Sequence, residues 1–173
     1  MNRVERTAPL VRKLPQVYPE AHCEIAFKTP LQLLVATILS AQCTDKRVNL
    51  VTPALFKTYR TAKDFAAAEP AKLEKAIQST GFFRNKARSI HGAAAAIVQK
   101  HGGKVPRTMA ELHALPGAGR KTANGVPGNA FQIDECIGAD THVSRLPQPL
   151  CPTQETDALK SEQHLTNLVP PAP

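Results

Sequence analysis

From Leu31 to Leu39 the chain offers almost no polar position: Leu31-Gln32-Leu33-Leu34-Val35-Ala36-Thr37-Ile38-Leu39 is apolar nearly all round a 3.6-residue repeat. A surface helix carries its apolar residues on one stripe, so this run predicts a helix buried at the centre of a fold. Thr29 and Pro30 supply its start, a capping hydroxyl followed by a residue whose φ is already helical. Similar start signals recur at Thr44-Asp45, at Glu69-Pro70 and at Thr108, the last ahead of a short helix ending near Leu115. An alanine-rich helix is predicted over Arg84–Lys100, stopped by Gly102 and Gly103, and another over Asp157–Leu168. Period-two alternation is nearly absent, hairpin dipeptides are few, and there is no internal repeat or low-complexity segment. The pattern predicts an all-α protein.

Composition narrows the class. At 173 residues the chain is long enough for one or two small domains with a real core, and its net charge is +8. That excess suits a polyanionic partner, the plainer alternative being a basic but unspecialised surface. No basic, apolar and small-residue succession marks a secretory leader, and no run reaches the eighteen apolar residues of a membrane span, so the expectation is a soluble, intracellular protein. Cys23, Cys43, Cys136 and Cys151 are scattered without a CxxC pair, which favours buried, reduced thiols, and the six histidines do not group at metal-ligand spacing.

The chemistry concentrates in Leu115-Pro116-Gly117-Ala118-Gly119-Arg120-Lys121-Thr122-Ala123. Two glycines around one small residue let successive N–H groups point the same way, and the turn opens onto a helical run whose N-terminus attracts negative charge. A Walker-type loop is excluded, because Arg120 interrupts the required Gly-Lys pair. A dinucleotide fingerprint is excluded as well, since a helix rather than a strand precedes the turn and a third glycine is missing. The context is helix, tight hairpin, helix, a cradle for phosphate.

On these residues LPGAGRKTAN resembles the helix-hairpin-helix of the endonuclease III family of DNA glycosylases. Leu39-Ser40-Ala41-Gln42-Cys43-Thr44-Asp45, Gly81-Phe82-Phe83-Arg84-Asn85-Lys86-Ala87 and Asp140-Thr141-His142-Val143-Ser144-Arg145-Leu146 stand in that family's order and at its separations. The resemblance covers roughly Tyr18 to Pro171. It implies a helix-hairpin-helix glycosylase fold with a central helical domain at 24–133, carrying the hairpin at about 108–130. A second lobe, from 1–23 and 134–173, is incomplete.

The resemblance also assigns roles. Lys121 matches the family's nucleophile and Asp140 its catalytic carboxylate. An ε-amine is protonated at its reference pKa of about 10.4, and a helix N-terminus, a cationic neighbour such as Arg120 and desolvation all disfavour that form. A neutral Lys121 amine can attack the sugar carbon bearing a damaged base, expel the base and form an imine that eases β-elimination of the 3′ phosphate. Asp140 stabilises the oxocarbenium character and helps move the proton. Read locally, Asp140 is equally an N-cap for the segment after it, and Lys121 a plain phosphate contact.

Base excision requires the nucleotide to be turned out of the duplex. By resemblance Gln42 fills the gap and Phe82 is the wedge on the opposite strand. An ordinary polar helix end and a core aromatic are the alternatives for these two. Arg84 and Lys86, with Arg88 beside them, reach phosphates or simply form a solvated helix face. Leu115, Gly117, Gly119, Arg120 and Thr122 belong to the DNA-binding hairpin.

The family carries an iron–sulfur cluster on four C-terminal cysteines, which the resemblance puts beyond Pro173, and the cysteines present lack the grouping. The expectation is therefore no cofactor and no metal in this chain. The implied partner is double-stranded DNA with damaged pyrimidines or abasic sites, bound by a monomer that is cytoplasmic and associated with the nucleoid. The implied activity is base-excision repair by a DNA glycosylase and abasic-site lyase. An adenine-excising relative is disfavoured by Lys121, since that class uses no lysine nucleophile.

Two departures stand against the family pattern. Asn124-Gly125-Val126-Pro127-Gly128-Asn129-Ala130 follows Lys121 where an uninterrupted apolar helix is expected. A helix-interior proline costs about 3 kcal/mol and a glycine about 1. Pro147 and Pro149 interrupt the segment after Asp140 in the same way. Either the fold bends locally and keeps its site, or the chain is a decayed, non-catalytic DNA-binding relative.

Overall fold

The computed structural model describes residues 3–133 and 158–168. All regular structure among them is helical: α1 (Arg3–Val17), α2 (Pro30–Ser40), α3 (Asp45–Thr58), α4 (Ala62–Ala66), α5 (Pro70–Ile77), a 3₁₀ turn (Gln78–Thr80), α6 (Phe83–Lys100), α7 (Met109–His113), α8 (Arg120–Val126), a π turn (Pro127–Phe131) and α9 (Ala158–Leu168). The chain divides into two compact units, Cys23–Gln132, and Met1–His22 with Ile133–Pro173. In the second of these, Thr7 of α1 and Glu162 and Leu165 of α9 are buried.

The Cys23–Gln132 unit is built around α2. Leu33, Leu34, Val35, Ala36, Ile38 and Leu39 are all buried, as an apolar surround requires, and α3, α6 and α8 pack against the helix. Thr29 accepts from the Gln32 amide at its start. Thr44 does the same for α3 through Arg47, and Thr108 for α7 through Glu111. α4, which no start signal had marked, begins with a full capping box. Thr61 accepts from the Asp64 amide at 3.2 Å, and Asp64 accepts from the Thr61 amide at 2.8 Å. The short helix then lies along α6, sending Phe65 into the core, where it stacks on Tyr59 at 5.1 Å.

Pro127 does not break the helix that follows the hairpin. The chain leaves α8 in helical geometry and widens into the π turn, which closes when the Gln132 amide donates to the Pro127 carbonyl. The wider turn accommodates the ring where an α-helical continuation brings it against a carbonyl. Asn129 donates its side-chain amide to the Gly125 carbonyl at 2.8 Å, a local bond across the same stretch. Arg107 lies over the Phe131 ring at 5.1 Å and ties the end of the turn to the loop before α7.

Candidate nucleic-acid interface and active site

The hairpin is a type II turn seated on a helix. Pro116 and Gly117 take its two central positions, Gly117 has φ +75°, and the Ala118 amide donates to the Leu115 carbonyl at 3.1 Å. Gly117 lies directly over α6: a β-carbon there would fall 2.1 Å from Cβ of Ser89 and 2.9 Å from its Cα. One turn farther along α6, Gly92 leaves room for Pro116, whose Cβ lies 3.0 Å from where a side chain at Gly92 would begin. Ser89 and Gly92, three residues apart on one helix face, are thus the seat of the hairpin. The sequence reading had missed them, although two small residues at that spacing are a readable sign of close backbone approach.

Gly119 is of a different kind. Its φ is −67°, nothing crowds the place of a side chain there, and it forms the N-cap of α8 without a capping group of its own. The first amides of α8 have no carbonyl partner within the helix and face the turn, with the positive end of the helix behind them. Arg120 is exposed there, and Lys121 is the second residue of α8. Asp140 lies outside the described residues, as do Cys136, Cys151, Pro147 and Pro149.

Three of the residues expected to meet DNA turn inward. Leu115 is buried in the core, and its amide donates to Leu112 while its carbonyl takes Ala118, so it holds the hairpin from beneath. Thr122 is buried as well. Lys86 is the clearest correction. It is 5 % exposed, and its Nζ donates to the Leu39 carbonyl at 2.8 Å and the Thr80 carbonyl at 2.7 Å. It therefore cannot be the phosphate contact that its basic surroundings suggested. Burial lowers its pKa from the ordinary lysine value, with Cys43 acting weakly in the other direction.

Arg84 stays on the surface, 3.9 Å from Glu74 and 5.5 Å from the Phe83 ring, and Arg88 bonds to Asn85 on the exposed side of α6. An exposed ion pair is weak and leaves such a guanidinium open to exchange. Gln42 and Phe82 are both exposed and both left-handed, at φ 51° and 46°. Phe82 is not the core aromatic its composition allowed; with two thirds of its surface exposed (66 %), it stands at the start of α6. Outside glycine that conformation is uncommon, and with Gln132 these are the non-glycine examples among the described residues.

Among the described residues no group of three or more His, Cys, Asp or Glu is placed to hold a metal ion, and Cys23 and Cys43 are free thiols. No described helix is long and apolar enough to cross a membrane.

This arrangement has close counterparts. Residues 35–171 match the HhH-GPD superfamily of base excision DNA repair proteins. The endonuclease III of Synechocystis is 49 % identical over 169 residues, which are 98 % of this chain and 77 % of that protein. The endonuclease III of Bacillus subtilis is 42 % identical over 159 residues, 91 % of this chain and 72 % of its own length. A solved structure of a trapped endonuclease III–DNA covalent intermediate, an estranged-adenine complex, superposes with a TM-score of 0.88 at 41 % identity, covering 98 % of this chain and 80 % of that one.

Proposed function

Because the chain belongs to the HhH-GPD superfamily of base excision DNA repair proteins, we propose that this DNA glycosylase removes oxidised pyrimidines and then cleaves the abasic strand through a lysine imine. The hairpin clasps the phosphate backbone with its amides and Arg120. Such contacts set register without reading sequence. Gln42 and Phe82 enter the duplex where the damaged nucleotide turns out.

The Lys121 amine forms a bond to the exposed sugar carbon as the bond to the base breaks, and the base leaves with the electron pair and takes up a proton. Asp140 stabilises the positive charge that grows on the sugar and receives the proton shed by the amine. The sugar ring then opens to an imine. Loss of the proton next to that imine expels the 3′ phosphate, and hydrolysis frees the lysine.

The observation that supports this reading best is the position of Lys121, second in a helix that begins at a side-chain-free cap on a glycine hairpin, in a chain 41 % identical to a protein trapped covalently on DNA. The π turn supports it too, since Pro127 is absorbed by a wider helical turn.

The test is an abasic duplex incubated with the protein, with and without borohydride, and resolved on a denaturing gel. The expected result is strand cleavage, and in borohydride a protein–oligonucleotide conjugate, both lost in Lys121→Gln. Cleavage equal to that of Lys121→Gln, with no conjugate from folded protein, would identify a binding protein without catalysis.

A further inference from the structure

Lys86 is buried, charged and unused by the chemistry above. Its two acceptors occupy telling positions. Leu39 lies in the last turn of α2, three residues ahead of Gln42, and Thr80 closes the 3₁₀ turn, two residues ahead of Phe82. Both carbonyls stand at helix C-termini, where acceptors lack intrahelical partners and partial negative charge collects. One ammonium, reaching both, holds the ends of two elements no farther apart than its two hydrogen bonds laid end to end.

The segments that leave those ends carry the two exposed residues in left-handed conformation, Gln42 and Phe82. Such backbone geometry at a non-glycine residue persists only where surrounding structure over-determines it. Phe82 is also the N-cap of α6 and makes no side-chain capping bond, so its conformation is not held by its own side chain. The described residues include no carboxylate in ion-pair contact with Lys86, and its ammonium donates to the two carbonyls. A methionine of similar length fills such a space without the desolvation cost of a buried charge. What lysine alone adds is a donor that serves two chain ends at once.

We infer that Lys86 is a positioning residue for damage recognition: by clamping the Leu39 and Thr80 carbonyls, it fixes Gln42 and Phe82 relative to one another so that they enter the duplex as one unit. It touches no DNA and acts through the two loops it anchors. This inference rests on the repair reading, in which Gln42 and Phe82 are the inserting residues.

The test compares wild type, Lys86→Met, Gln42→Ala, Phe82→Ala and the two double variants. The probe is a duplex holding a non-cleavable tetrahydrofuran abasic analogue opposite 2-aminopurine, with an undamaged duplex as reference. The expected result is that Lys86→Met binds undamaged duplex as wild type does, while its preference for the abasic analogue falls about tenfold or more and the 2-aminopurine signal falls with it. In the Lys86→Met background, Gln42→Ala and Phe82→Ala cause little further loss. A residue with only a structural role leaves those losses additive, and that result overturns the inference. So does a Lys86→Met protein with unchanged preference and signal. A wild type with no preference for the abasic duplex sinks the repair reading instead. If Lys86→Met does not fold, Lys86→Gln, which keeps a donor for one carbonyl, carries the same comparison. Failure of both to fold makes Lys86 a structural residue and overturns the positioning role.

Discussion

Gly117 and Gly119 read alike in the sequence, as two permissive residues around an alanine, yet they answer different demands. Gly117 needs both a positive φ and the absence of a β-carbon, because Ser89 occupies the place where one would go. Gly117→Ala combines a left-handed alanine with an overlap that only backbone movement can relieve. We expect it to lower unfolding free energy by about 2 kcal/mol or more, read as a lower urea midpoint with an unchanged slope. Ser89→Gly in that background restores only part, since the Ser89 Cα remains 2.9 Å from the new carbon. Gly119→Ala meets open space at an ordinary φ, and its cost stays below about 1 kcal/mol in the same measurement. The motif was legible as two glycines. Which one bears the packing was not, because the atom that crowds it belongs to a helix 28 residues away in the chain.

Among the elements, helix starts were the most readable part of the chain, because a capping hydroxyl satisfies amides only a few residues away. Thr29, Thr44 and Thr108 all cap as their sequence positions predict. The capping box of α4 offers a test by pH. Asp64 accepts from the backbone amides of Thr61 and Arg60 and from the Thr61 hydroxyl, which together hold its pKa below the ordinary value of 3.8. A carboxyl with a depressed folded pKa adds stability that is fully present above its unfolded value and is lost as pH falls through the folded one. Urea midpoints of wild type and Asp64→Ala should therefore differ most near neutral pH and converge below 3.8. Thr61→Ala, which removes the reciprocal bond, costs about 1 kcal/mol at neutral pH. The element that escaped local reading is the π turn. Pro127 forbids an ordinary α-helical continuation, but whether the chain then breaks or widens depends on what receives the freed carbonyls. Here the chain widens, with the Gln132 amide closing the turn on the Pro127 carbonyl and the Asn129 side chain donating to Gly125.

For the molecule as a whole, the charge of +8 gives the binding of duplex DNA a measurable signature. Phosphate contacts release condensed counterions, so affinity falls linearly with salt on logarithmic axes. Arg120→Gln is expected to reduce that slope by about 1 and to weaken damaged and undamaged duplex alike, as titrations across a salt series would record. An effect confined to damaged DNA would move Arg120 from the backbone to the lesion. By itself the sequence determined the all-helical class, the hairpin with its following lysine, and the family to which they belong. Each of these depends on residues near one another along the chain or on motifs held at fixed spacing. Only the tertiary structure decided which basic residues face outward. Arg84 and Lys86 stand two positions apart in one cationic run, yet one lies on the surface and the other is buried against two helix ends. Burial is set by what packs from elsewhere in the fold, and neither charge nor local spacing encodes it.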